Sequence, residues 1–331
     1  MAARDVTMAD VARAAGVSRQ LVSIALRGAP GVGAETKEHI LATARRLGYH
    51  RNALASRLAS RSADVVGLYL QDLRNEVFAD VHDGLRETIA AEGLPLVLGV
   101  GVAGSAEDRS GLRTLIAARV GVLVAAGVVM PDAELLQLAE RIPLVMVSRA
   151  VPGLDSVYSD DTLGARKATE HLLKLGHRRI AHVAAPDGDG YRGRRRAYEA
   201  CMASAGLAPQ VVVANYSRVA AAQAVGPLLD GDDAPTAVFC HNDTAALGVM
   251  DALASRGLAL GEDVSLVGYD DSEAARLPAI SLTSVDLHAQ EMGRRAGEVA
   301  VQRLRTPGAP VVDESSRPTL VVRGSTAPPR E

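Results

Sequence analysis

Between Val65 and Tyr269 short apolar runs alternate with helical stretches at even intervals, and this alternation limits the fold more than any other feature of the chain. Val65–Leu70, Pro95–Val100, Val120–Ala125 and Leu144–Val147 read as strands, each separated from the next by an amphipathic helix. The pattern then repeats in Arg179–Ala184, Val211–Ala214, Ala237–Cys240 and Val264–Tyr269. A strand that returns parallel to its predecessor needs a crossover, so this order predicts parallel sheets covered by helices on both faces. Two runs predict two similar doubly wound lobes. In open parallel sheets ligands sit beyond the carboxyl ends of the strands. There the sequence puts Asp72 and Asn75, Ser148 and Arg149, Asp187, Asn242 and Asp243, and Asp270 and Asp271. Two lobes that turn such groups toward one cleft describe a hinged small-molecule receptor.

Upstream of the alternation the period changes. Thr7 to Gly28 reads as two short helices joined by a tight turn. Thr7 is a good N-cap, and Asp10 three residues on completes a capping-box pattern. Met8, Val11, Ala12 and Ala15 repeat at i, i+3, i+4, i+7 and form one inward stripe. Gly16 supplies the turn, and Ser18 caps a second helix whose inward face is Leu21, Val22 and Ala25. Arg19, Gln20, Ser23, Ile24 and Arg27 fall on its outer face, where such side chains reach base edges and phosphates in a major groove. The motif is a helix-turn-helix, and it predicts a protein that reads DNA. A third helix is expected over Glu35 to Leu47, with Ile40, Ala44 and Leu47 inward and Gly48 as its stop. Asn52 to Ser60 follows as a short helix with Asn52 as its cap; alone it is unstable, which suits a hinge that folds when DNA and a partner chain hold it.

The formal net charge of −3 conceals an asymmetry. The first 61 residues carry ten Arg and Lys against four Asp and Glu, so a basic head precedes an acidic body, as expected of a nucleic-acid module joined to a ligand-binding one. No apolar run is long enough for a membrane span, and the N-terminus shows no secretory signal, so a cytoplasmic location is expected. Cys201 and Cys240, the only two cysteines, form neither a disulfide framework nor a metal-ligand spacing. His171 and His177 read as a helix face and a turn. No metal or other cofactor is expected.

Taken together, these motifs resemble the LacI/GalR family of bacterial transcription regulators, over essentially the whole chain. VTMADVARAAGVSRQLVSI matches the family's head pattern, and Leu47-Gly48-Tyr49, Asn52, Ala55 and Leu58 match its LGY-x-x-N-x-x-A-x-x-L hallmark. EHLLKLGHRRIAHV, FCHNDTAALGVMDAL, GEDVSLVGYDDS and LTSVDLHAQEMGRRA are similar to its body signatures. The resemblance implies DNA contacts from Thr7, Ser18, Arg19, Gln20, Ser23, Ile24 and Arg27, with Asn52 and Ala55 in the hinge and Leu58 as a minor-groove wedge. It implies an effector site at Arg194, Asn242 and Asp270, with Phe78 on the cleft wall, Arg149 at the Arg of an Asp-Arg pair and Asp160 at the Asp of an Asp-Asn pair. Asp72 joins them from its place at a strand end. The chain departs from the family at Leu21, Ile24, Arg27 and Arg51 in the head, and at Glu76, Val77 and Ser148 in the cleft. Ile24 stands for a usual Arg and offers a thymine methyl an apolar contact instead of a cation.

The expected organisation is a helix-turn-helix domain over residues 1–50 and a hinge helix and linker over 51–63. A two-lobed α/β body of two doubly wound parallel sheets, like periplasmic binding proteins, is expected over 64–324. Its N-lobe should comprise about 64–160 plus 287–308, its C-lobe about 161–286 plus 309–324, and 325–331 should form a flexible tail. The expected protein is a dimeric repressor bound to double-stranded palindromic operator DNA and switched by a sugar or related metabolite. A periplasmic-type solute receptor would share the body but lack the basic head. An enzyme on a doubly wound fold would need a Gly-x-Gly-x-x-Gly turn, a phosphate loop or a nucleophile elbow, and none is present in the sequence.

Overall fold

The computed structural model describes residues 6–27, 30–49, 64–101, 108–186 and 192–330, with the backbone alone for Arg27. The chain divides into two compact units, Met1–Ser62 and Ala63–Glu331.

In the first unit, α1 (Met8–Ala15), α2 (Arg19–Arg27) and α3 (Ala34–Arg46) surround one small core. Thr7 Oγ1 accepts from the Asp10 N–H at 3.3 Å while the Asp10 carboxylate accepts from the Thr7 N–H at 3.0 Å. This reciprocal box satisfies two donors that α1 would otherwise leave open. Gly16 turns the chain at φ +67°, and Ser18 Oγ accepts from the Leu21 N–H at 3.2 Å to start α2. Val11, Ala12, Ala15, Val22, Ala25, Ile40 and Ala44 are buried together, with Leu21 and Leu47 partly buried against them.

The second unit holds two sheets of the same design. The first contains β1 (Val66–Leu70), β2 (Leu96–Val100), β3 (Val122–Ala126), β4 (Leu144–Val147) and β5 (Asp155–Ser159). The second contains β6 (Ile180–Ala184), β7 (Gln210–Val213), β8 (Ala237–Cys240), β9 (Ser265–Asp270) and β10 (Thr283–Asp286). Two late strands, β11 (Asp313–Ser316) and β12 (Thr319–Val321), divide between them, giving orders β11-β5-β4-β3-β1-β2 and β12-β10-β9-β8-β6-β7. All pairings are parallel except β10 with β12. The central strands are buried end to end, so they read as continuous apolar runs instead of alternating ones.

The helices of this unit are α4 (Val77–Ala91), α5 (Asp108–Ala117), α6 (Asp132–Ala139), α7 (Asp161–Lys174), α8 (Arg192–Ser204), α9 (Arg218–Leu229), α10 (Asp243–Ala254), α11 (Glu273–Arg276) and α12 (Ala289–Arg305). The chain passes between lobes three times: from β5 into α7, from β10 into α12, and from β11 to β12. Helix α12 returns to pack on α4 at close range. A Cβ on Gly84 would lie 1.9 Å from the Gln290 carbonyl oxygen, and one on Gly293 would lie 2.1 Å from that of Val81.

Three expectations need correction. Strands β5, β10, β11 and β12 are absent from the sequence reading because DSVYS, TSVD and DESS are short and largely polar and TLV is only three residues long. Residues 309–324 were expected in the C-lobe, yet β11 within them pairs with β5 in the N-lobe sheet. The tail is fixed rather than flexible. Ser325 is fully buried, its Oγ donates to the Leu266 carbonyl at 2.6 Å, and the Ala327 carbonyl lies 2.9 Å from His177 Nε2. Arg330 pairs with Glu262 and Asp263. Proline content does not free a segment whose backbone groups find partners along a strand edge.

Candidate functional site

The head offers one polar row. Ser18, Arg19 and Gln20 are exposed at the start of α2, Ser23 and Ile24 are half-buried one turn on, and Val22 and Ala25 face inward. The Ser18 cap bond and the buried inner pair fix the rotation of α2, so the exposed row cannot turn inward without opening the core. Thr7 is exposed, with its hydroxyl and amide both engaged by Asp10. The Arg27 side chain, and Asn52, Ala55 and Leu58 of the expected hinge, lie outside the described residues.

In the body the carboxyl ends of both sheets converge on a cleft. Asn75, Val77, Phe78, Gly127, Val128, Val129, Ser148 and Arg149 line one cavity from the first lobe, Asp161, Arg194 and Asp270 from the second, with Leu287 on a crossover. An adjoining cavity shares Asn75 and Phe78 and is lined further by Gln71, Asp72, Arg74, Tyr216, Asn242 and Thr244. These residues follow or end every strand from β1 to β10 except β2, as the strand-end rule requires.

Arg194 sits at the centre. It is 5 % exposed; its Nε donates to Asp161 at 3.0 Å, one terminal nitrogen donates to the His241 carbonyl, and that nitrogen lies 3.9 Å from Asp270. Its guanidinium carbon lies 3.7 Å from the centre of the Tyr269 ring, a cation–π contact. Burial raises the Asp161 and Asp270 carboxyls above their usual range, opposed in both by the Arg194 charge. Burial likewise holds neighbouring His241 down to about 3 and His182 to about 4, so both imidazoles are neutral at pH 7. Arg149, 6 % exposed, donates to the Met130 carbonyl at 3.2 Å and pairs with Asp132.

Backbone strain collects at the same place. Asp270 has φ +109°, Asp271 +52° and Ser148 +76°, all values that L-residues seldom adopt. Each such residue costs about 1–3 kcal/mol and persists where surrounding contacts over-determine it.

Of the residues expected in the effector site, Phe78, Arg149, Arg194 and Asp270 meet in the first cavity, and Asp72 and Asn242 in the second. Asn242 also caps α10, accepting from the Ala245 N–H at 2.8 Å, and Asp72 accepts from the Arg74 N–H at 2.9 Å. Asp160 lines neither cavity; its carboxylate caps α7 by accepting from the Leu163 N–H at 2.9 Å. The cavity carboxylate is its neighbour, Asp161. Asp271 is engaged by Arg276 at 3.1 Å and Arg323 at 2.5 Å. Tyr216, Asp161 and Leu287 were missed by the sequence reading; Asp161 lies two residues past β5, a strand the sequence did not reveal, and Tyr216 lies in a turn with no local mark.

A wider depression lies on the outer face between α5 and α6, where Arg109 and Glu134 bond each other through two 2.7 Å contacts. It is away from the strand ends and is lined by no group from the second lobe. Among the described residues no cluster of His, Cys, Asp or Glu is placed to hold a metal ion, and no helix is long and apolar enough to cross a membrane.

Comparison with known proteins agrees with both units. Residues 7–52 match the model of bacterial regulatory proteins of the lacI family, and 169–326 match a periplasmic binding protein-like domain. The chain is 30 % identical to the HTH-type transcriptional regulator GalR of Escherichia coli strain K12, over 98 % of this chain and 96 % of that one. It is 29 % identical to the ribose operon repressor of Haemophilus influenzae, over 96 % and 98 % respectively. Among solved structures, a lac repressor dimer bound to operator and the anti-inducer ONPF superposes with a TM-score of 0.83 at 25 % identity, covering 98 % of this chain and all of that one.

Proposed function

From the premise that this chain belongs to the LacI family of bacterial regulatory proteins, and is a DNA-binding transcription regulator, we propose that it is a dimeric repressor of a palindromic operator, switched by a small metabolite in the cleft. The reading rests above all on the exposed Ser18–Arg19–Gln20 row at the start of a doubly capped, core-anchored helix pair. We assign base contacts to Arg19 and Gln20, phosphate and backbone contacts to Thr7, Ser18, Ser23 and Arg27, and a thymine-methyl contact to Ile24. We assign DNA reading to residues 1–50 and the hinge role to 51–63, with Asn52 and Ala55 serving the hinge and Leu58 as the minor-groove wedge.

Dimerisation supplies the two-fold symmetry that a palindrome requires. The outer edge strands support it: Leu98 and Val100 in β2, Val213 in β7 and Val219 at the start of α9 are 40–65 % exposed. Unpaired edges bearing apolar side chains need a cover.

The switch is the angle between lobes. A ligand gripped by Phe78 and Arg149 from one sheet and by Arg194, Asn242 and Asp270 from the other stabilises one lobe angle over another. The three crossovers transmit that angle to the hinge. A coupling of about 1–3 kcal/mol is typical of such linkage and changes operator affinity five- to 150-fold. Selection of bound fragments from sheared genomic DNA tests the reading. A recurrent palindrome with half-sites spaced for two heads is the expected result; enrichment with no common sequence would remove the repressor assignment.

A further inference from the structure

The outer depression between α5 and α6 has the build of a docking groove. Both helices cross over the first sheet, from β2 to β3 and from β3 to β4. The two crossovers advance the same way along a parallel sheet, so their right-handedness puts α5 and α6 side by side on one face. The groove between them holds about 360 Å³ and has an apolar floor. Leu112 and Met130 are 1 % and 7 % exposed there, and Ile116 and Leu138 are half-buried on the same core.

Its rim is polar and positive. Arg109 and Glu134 bond each other across it, with 43 % and 39 % of their side chains exposed. Arg113 and Arg141 are exposed at the rim, and among the described residues neither has a hydrogen-bond or ion-pair partner. The Glu134 carboxyl is held low, chiefly by the bond from Arg109 and in part by the nearby Arg113 charge. One carboxylate therefore faces three guanidinium groups, on a body whose acidic residues outnumber its basic ones.

A small molecule is oriented by polar groups that converge within a pocket, whereas every charged group here stands at the edge in contact with water. An apolar centre inside a polar rim, with Arg and Met among its residues, is the anatomy of a protein interface. Two helices lying side by side leave a groove into which a third helix lays apolar residues at i, i+3, i+4 and i+7. Along the ten residues of α5 the groove runs about 15 Å, the length of about three turns of a partner helix. The two unpaired arginines favour Asp and Glu beside that apolar row and oppose Lys and Arg. We propose that the α5–α6 groove docks an acidic amphipathic helix of a partner protein. The groove shares no lining residue with the cleft, so the partner and a cleft ligand do not compete for the same groups.

The test uses the full chain and two labelled peptides of about four helical turns, followed by fluorescence anisotropy. One carries leucine at i, i+3, i+4 and i+7 with glutamate on both flanks; the other has lysine at each glutamate position. The acidic peptide should bind ten-fold or more tighter, and the gap should shrink as salt is raised, since the rim charges are exposed. Arg113→Glu combined with Arg141→Glu touches no partnered group, so the fold is kept, and the preference should vanish or invert. An undiminished preference in that variant would place the acidic peptide elsewhere, on the basic head for example, and would overturn the proposal. Failure of the acidic peptide to bind, or equal or tighter binding of the basic one, would overturn it as well. Sedimentation of wild type and variant over the same concentrations should give one assembly state. A variant that loses self-association would make the groove an interface between copies of this chain, not a seat for another protein.

Discussion

Arg194 is the group whose removal should cost the body most. In Arg194→Ala two carboxylates lose their cation, Asp270 with 4 % and Asp161 with 15 % of its side chain exposed. The His241 carbonyl loses a donor, and the Tyr269 face loses the guanidinium packed 3.7 Å above it. Breaking a buried pair by removing one partner costs about 3–5 kcal/mol, most of it the desolvation of the charge left behind. The cation–π contact contributes up to about 2 kcal/mol when desolvated. Water can enter from the adjoining cleft and relieve part of this, so a loss of about 3–5 kcal/mol at pH 7 is expected. The loss has a pH signature. Burial already raises both carboxyls, and without Arg194 they rise further. A carboxyl raised in the folded state favours folding at acid pH, and that contribution is lost as pH climbs from the unfolded value through the folded one. The difference between wild type and variant should therefore be largest at neutral pH and should narrow toward pH 5. Urea unfolding of both proteins at pH 7 and 5, followed by circular dichroism, measures it. A deficit under about 1 kcal/mol, or one independent of pH, would refute the account of this charge cluster.

Other substitutions probe other parts. Thr7→Ala removes a reciprocal cap and should cost the head about 0.5–2 kcal/mol, read as an earlier loss of operator binding on warming. Gly293→Ala puts a methyl 2.1 Å from the Val81 carbonyl oxygen and should force α12 off α4, lowering body stability by about 1–3 kcal/mol in urea unfolding. His182 is buried neutral with its pKa lowered to about 4, so the unfolded chain binds its proton first. Below pH 6.5 this lowers stability, and His182→Gln should gain on wild type between pH 6.5 and 4, the carboxyl contributions cancelling in the difference. Ile24→Arg should shift the bases enriched in operator selection, whereas unchanged enrichment would place Ile24 outside the reading face.

The sequence disclosed the architecture wherever burial was two-sided. VLVAA of β3 is apolar throughout, and IAHVA of β6 is apolar but for the buried His182, because helices cover both faces, and such runs stand out without any partner being known. The strands that join the lobes did not stand out. DESS of β11 is a strand only because the main chain of β5, far upstream, pairs with it, and no local pattern records that pairing. The site follows the same division. Arg194 and Asp270 could be named from motif and strand end, but the choice between Asp160 and Asp161 depended on which carboxylate the α7 N-terminus would take as its cap. Tyr216 reaches the cleft from a turn and meets His241 edge-on at 6.0 Å, a contact set by tertiary structure alone. The tail shows the converse error, since composition suggested freedom where Ser325 and Ala327 find buried partners.

The claim on which everything else depends is that cleft and head are coupled. Coupling between two binding equilibria is reciprocal, so a ligand that changes operator affinity by some factor must have its own affinity changed by operator to the same degree. The decisive measurement is ligand affinity, by isothermal titration, on the full chain alone and saturated with its selected operator duplex. The account predicts dissociation constants that differ five-fold or more, matching the ratio of operator affinities measured with and without ligand. Identical ligand affinities in the two states would contradict it.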